Sequence, residues 1–215
     1  MTKRLLLTRP DHDYATRYLS AWAEKFFDLA KEKGCSIIDL HRERANRIEV
    51  ESVLSKRKPC FVVINGHGGD DLVAGYENKP LLIAKTNSSL LKGKITYAIS
   101  CQSALVLGEE VGRYKDTAYI GYKDDFILLY LEKYRTRPTE DNLAGLFLEP
   151  SNLVATTLLK GHTAKESVLR ARQEFLRNIQ KLLTSKTTTD DSSALRYLVW
   201  DMKHLTLCGK GDKKL

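Results

Sequence analysis

No apolar stretch in the 215 residues approaches the ~20 needed to cross a bilayer, so no membrane-spanning helix is expected. The first residues hold only the three consecutive leucines Leu5, Leu6 and Leu7, too short a run for a secretory leader, and read instead as a first strand. Four cysteines, Cys35, Cys60, Cys101 and Cys208, include no Cys-x-x-Cys pair. The close ligand pairs of a structural zinc site are therefore lacking, and neither a metal nor another cofactor is expected. Without a leader, the thiols are expected to be reduced, in a cytoplasmic protein with no membrane partner. No internal repeat is present.

The sequence does hold enough for one ordinary globular unit. Apolar residues make up 42% and charged residues 29%, and the net charge is +8. The basic excess gathers in 160–186, where seven basic residues stand against Glu166 and Glu174. It reads first as a solvated helix face and second as a docking surface for an acidic protein or nucleic acid.

Short apolar runs at 5–7, 35–40, 61–65, 95–100, 117–122 and 205–208 alternate with helical spacings. In 11–33, Tyr14, Tyr18, Trp22, Phe26 and Leu29 recur every three or four residues before Gly34. Further helices are expected over 47–56 and 104–113, over 151–160 behind a Ser151 cap, and behind the capping box Thr163-x-x-Glu166. In the last of these Val168, Leu169, Phe175, Leu176, Ile179, Leu182 and Leu183 form one apolar stripe. Segment 70–80 reads as a loop with a small hairpin, 81–91 as a surface crossover and 185–193 as a flexible loop. Residues 126–131 fit helix or strand equally. This alternation predicts an α/β sandwich around a mostly parallel sheet of about six strands, one domain over 1–209, and a disordered basic tail at 210–215.

The strand exits carry the chemistry. The run ending at Asn65 breaks into Gly66-His67-Gly68-Gly69, and the run ending at Ser100 delivers Cys101. Ligands bind at the carboxyl ends of parallel strands, so neighbouring strands would set an imidazole beside a thiol, the minimum for cysteine-dependent acyl transfer. Cys101 is the candidate nucleophile, with a helix beginning near Ser103 to lower its pKa, and His67 the candidate acid/base. His12, His41, His162 and His204 read as surface histidines.

The His-Gly after one apolar strand, the Ser-Cys after the next and the third strand at 117–122 resemble the caspase-like cysteine peptidases. The short His-to-Cys interval looks most like the CHAT and gingipain-like branches. The resemblance implies a caspase-like three-layer α/β/α sandwich, a Cys-His dyad acting on a protein or peptide substrate, and an oxyanion hole from the amides of Gly68 and Cys101. It requires no third catalytic residue, although Asn65 is a candidate orienter. Small peptidases of this kind often depend on a larger assembly, so an activating protein partner is part of the expectation.

The sequence departs from the family at the specificity site. Where metacaspases carry an Asp two residues before the nucleophile this chain has Ile99, and no Gln-Ala-Cys signature is present. A pocket for a basic P1 residue would need Asp70, Asp71, Asp124 or Asp125, all in loops at strand exits. The alternative to an endopeptidase is a catalytically silent module on the same fold, docking through its basic face.

Overall fold

A strand that is apolar along nearly its whole length, rather than at alternate positions, is buried on both faces. The strands β3 (Phe61–Asn65), β6 (Ile95–Ile99) and β7 (Ala118–Tyr122) are of this kind, buried at all positions including the polar Asn65 and Thr96. In this computed structural model, which describes residues 3–184 and 189–215, they form the interior of a six-stranded sheet. The flanking strands are β1 (Lys3–Arg9), β2 (Cys35–His41) and β8 (Leu205–Gly209). The order is β2-β1-β3-β6-β7-β8, parallel except for β8, which runs antiparallel to β7.

Residues of each strand alternate between two cores. Leu5, Leu7, Phe61, Val63, Tyr97 and Ile120 face one; Leu6, Val62, Ile64, Ala98 and Tyr119 face the other. The helices α1 (Tyr14–Ala23), α2 (Phe27–Glu32), α5 (Asn142–Leu159), α6 (Ala164–Thr184) and α7 (Thr189–His204) cover the first. The second lies under α3 (Arg47–Lys56) and α4 (Val106–Gly112). The result is the expected three-layer α/β/α sandwich.

Several elements differ from expectation. The helix expected over 11–33 is divided by a tighter turn at Glu24–Phe26, which keeps both Trp22 and Phe26 in the core. The 81–91 segment is not on the surface throughout: Leu81 and Leu82 are fully buried, in β5 (Pro80–Ile83), which pairs with β4 (Leu72–Ala74) as a small hairpin. Segment 126–131 is neither helix nor strand but an irregular strap of half-buried residues. Of the α6 stripe, Val168, Phe175, Ile179 and Leu182 are buried, while Leu169, Leu176 and Leu183 are exposed. Helix α7 begins within the segment expected to be a loop, of which 185–188 lie outside the described residues.

Ser151 does not cap a helix. It lies inside α5, capped by Asp141, whose Oδ1 accepts from the Leu143 and Ala144 amides. Pro150 sits within this helix and cannot donate to the Leu146 carbonyl. That carbonyl instead accepts from Asn178 Nδ2 of α6 at 2.9 Å, which removes the cost of an orphaned buried acceptor.

Residues 210–215 fold over the first turn of α6. The Gly211 and Lys213 carbonyls accept from the Lys165 and Ala164 amides, and Lys210 and Lys213 both pair with Asp116.

Candidate active site

The register of the sheet brings the two strand exits together. Asn65 of β3 pairs with Ile99 of β6, so His67 and Cys101 each lie two residues beyond a matched pair on adjacent parallel strands. Beyond the pairing, Ser100 Oγ donates to the His67 carbonyl at 2.6 Å and fixes the two exits to each other. Gly68 is required here by close approach: a Cβ at this position would overlap Ser100 Oγ and the Cys101 carbonyl. The amides of Gly68 and Cys101 donate to no acceptor among the described residues.

His67 has an orienting partner that the sequence did not suggest. Its Nε2 lies 2.7 Å from Oδ2 of Asp13, the residue that opens α1 after β1, which neighbours β3. Asp13 Oδ1 meanwhile accepts from the Thr16 amide at 2.8 Å, so one carboxylate caps a helix and holds an imidazole. Partial burial works to raise the Asp13 pKa, but the Thr16 amide and His67 together hold it below its ordinary value. With Nε2 donating to Asp13, His67 presents the lone pair of Nδ1 elsewhere. Asn65 is not this partner; it is buried, with its side-chain nitrogen unpartnered among the described residues.

Cys101 is half-buried, and burial pushes its thiol pKa up, with the nearby Asp125 and Asp201 carboxylates adding to the effect. The expected lowering by a helix N-terminus does not operate. The first α4 amides, those of Val106 and Leu107, are taken by the Asp70 carbonyl, and the Ala104 amide by Tyr122. Gln102, immediately after Cys101, adopts a left-handed backbone with φ 55° that turns the chain away from the strand.

A cavity of about 290 Å³ opens beside the pair. His67 and Cys101 line it together with Leu19, Ile99, Phe126, Ile127 and Leu128, so its walls are largely apolar. The strap carrying Phe126 to Leu128 is pinned by two carboxylates. The Ile127 amide donates to Asp201 Oδ1 at 3.0 Å, and the Leu131 amide to Asp141 Oδ2 at 2.7 Å. Asp201 is fully buried, its Oδ2 has no partner among the described residues, and burial pushes its pKa well above the carboxylate range.

The four loop aspartates fall in different places. Asp125 stands next to Cys101, its Oδ1 accepting from Gln102 Nε2 at 3.1 Å. Asp124 accepts the Gln102 amide through its backbone, while Asp70 and Asp71 use their carbonyls to receive α4 and β5 neighbours. None of the four lines the cavity. On the basic face, Arg172 donates to the Leu205 carbonyl at 2.6 Å and Arg177 pairs with Glu174 at 2.6 Å, so both are engaged within the chain.

No family model and no curated protein sequence matches this chain. Among solved structures, gingipain R, an Arg-specific cysteine proteinase, matches with a TM-score of 0.59 at 13% sequence identity. The match covers 100% of this chain but 48% of that one. At this identity the likeness shows the fold: the chain is built as a caspase-like α/β sandwich, over about half the length of the proteinase it resembles.

Proposed function

We propose that this chain is a cysteine endopeptidase working through Cys101 and His67. One observation carries the reading: the two residues project from paired strand exits into one cavity, and Asp13 holds the Nε2 side of the imidazole. Nδ1 of His67 takes the Cys101 proton, and the thiolate attacks the scissile carbonyl carbon. The Gly68 and Cys101 amides receive the oxyanion. His67 returns the proton to the leaving amine as the C–N bond breaks, leaving a thioester. Water attacks that thioester, giving its proton to His67, and the carboxylic acid departs as the thiol is restored.

The substrate is a protein or peptide with a basic P1 residue. Apolar walls suit the methylene stem of Arg or Lys, and a carboxylate near Cys101, outside the cavity lining, would take the cationic head. Asp125 is one candidate, and Asp201 behind Ile127, with an unpartnered oxygen, is the other. The reducing interior of a cell suits four free cysteines. The short His-to-Cys interval favours the CHAT and gingipain-like branches.

A second reading is supported by the upward-shifted Cys101 thiol. A thiol held protonated at rest describes either a silent module or a peptidase that a partner switches on. An acyloxymethyl-ketone probe with a P1 Arg separates these. Labelling at Cys101 above the other three thiols, abolished in Cys101→Ala and His67→Ala, supports the peptidase. Absence of preferential labelling, with and without cell extract, favours the silent module.

A further inference from the structure

We propose that His12, Asp13 and His67 form a reversible Zn²⁺ site, and that the ion held there switches His67 off. Three side chains from two strand exits converge. Asp13 Oδ2 lies 2.7 Å from Nε2 of His67 and 3.5 Å from Nε2 of His12, and all three ligand atoms lie within 4.8 Å of one another. A tetrahedral zinc with ligands ~2.0–2.2 Å away sets neighbouring ligand atoms roughly 3.4 Å apart, so small side-chain rotations suffice. Asn78 Oδ1, 3.1 Å from His12 Nε2, stands where it or a water completes the fourth position.

The donor set narrows the metal. Two imidazoles and one carboxylate suit Zn²⁺ and its first-row neighbours, whereas Ca²⁺ and Mg²⁺ require oxygen cages, and Zn²⁺ needs no redox partner. Solvent reaches the site: the Asp13 and His67 side chains are 36% and 42% exposed, and that of His12 12%. His12 can offer only Nε2, because its Nδ1 is buried without a partner among the described residues. That missing acceptor also weakens the site, since zinc-bound imidazoles ordinarily donate their second N–H, and such a contact is worth about 10–100-fold in affinity. A regulatory ion that comes and goes fits this better than a permanent structural one.

Zinc at Nε2 displaces the proton that His67 shares with Asp13. The neutral ring then carries its one proton on Nδ1 and cannot accept another from Cys101. Binding itself does not depend on the peptidase reading; the loss of cleavage does. Cys101 is not among the three clustered ligands, so the thiol should be dispensable for binding.

The test is calorimetric titration of the full chain with ZnCl₂, repeated with Co²⁺ for the absorption of a tetrahedral site. One ion per chain is expected, retained in Cys101→Ala and weakened at least about tenfold in His12→Gln and in Asp13→Asn. No binding, binding unchanged in His12→Gln, or binding lost in Cys101→Ala would overturn the site. Melting curves of each variant confirm folding, and His162→Gln, at a distant imidazole, should bind as the parent does. Where the chain cleaves peptide, ZnCl₂ should stop it and a chelator restore it. Cleavage indifferent to a bound ion overturns the switch, while a chain that binds zinc but never cleaves removes the peptidase reading and leaves the site.

Discussion

At the scale of single residues, two aspartates separate what the sequence could reveal from what it could not. His67 and Cys101 were legible because each ends an apolar run, and a side chain there must project from the sheet edge. Asp13 was not, being 54 residues from His67 and brought to it only by the β1–β3 pairing. The polar cluster Asp11-His12-Asp13, directly after the first strand, was the available signal, since that position also lies on the carboxyl edge. In the proposed peptidase, Asp13 acts through the ring it positions. Asp13→Asn should therefore lower kcat by about 10²–10⁴-fold with little change in KM, and Asp13→Glu should recover part of the loss. A variant with kcat intact would reduce Asp13 to a helix cap.

Asp201 can be judged by pH. Its folded-state pKa is raised, so between the ordinary value near 3.8 and the raised one the unfolded chain ionises and the folded chain does not. The unfolded state then binds fewer protons, and this residue's contribution to stability falls as pH climbs through that window. Asp201→Asn should match or exceed the parent in unfolding free energy at pH 7, by about 1 kcal/mol, with the advantage gone near pH 4. If Asp201 also receives the P1 cation, the same variant should lose activity toward Arg and Lys peptides while leaving uncharged ones unaffected. Lower stability at pH 7 than at pH 4, relative to parent, would mean the carboxylate is charged and paired in a way the contacts do not reveal.

At the scale of elements, regular spacing was readable and compensation was not. The α3 bounds and the Thr163–Glu166 capping box follow from sequence because every partner is local. Helix α5 does not, because Pro150 announces a break that a side chain 28 positions later repairs. Asn178→Ala should expose this debt: the Leu146 carbonyl would be left buried without a donor, at a cost of about 1–3 kcal/mol. Asn178→Asp, which removes the donor and keeps the shape, should cost at least as much. If thermal denaturation finds neither variant destabilised, the helix tolerates its proline in some other way. The strap at 126–131 was unreadable for a related reason. Two of its amides, those of Ile127 and Leu131, are satisfied by Asp201 and Asp141 rather than by neighbours in sequence, so no period records its structure.

At the scale of the whole molecule, a mostly parallel sheet of six strands follows from alternation and crossover rules, but the placement of residues 210–215 does not. A lysine-rich segment with a glycine and an aspartate carries every mark of a frayed tail. What holds 210–215 is long-range: two carbonyls meet the first amides of α6, which a helix must otherwise leave to water, and two lysines meet Asp116. Those lysines depress the Asp116 pKa from 3.8 to about 2. The pair therefore contributes above the ordinary carboxylate range and is lost as pH falls from about 4 toward 2. Being exposed, it should also weaken with salt. Ending the chain at Gly209 should lower Tm at pH 7 by about 2–4 °C for each kcal/mol of capping lost, most of it from the α6 amides. The gap to the full chain should narrow in high salt and at pH 2, but not close, because the amide contacts do not titrate. Equal melting temperatures at pH 7 would show that the end of the chain adds nothing to the fold.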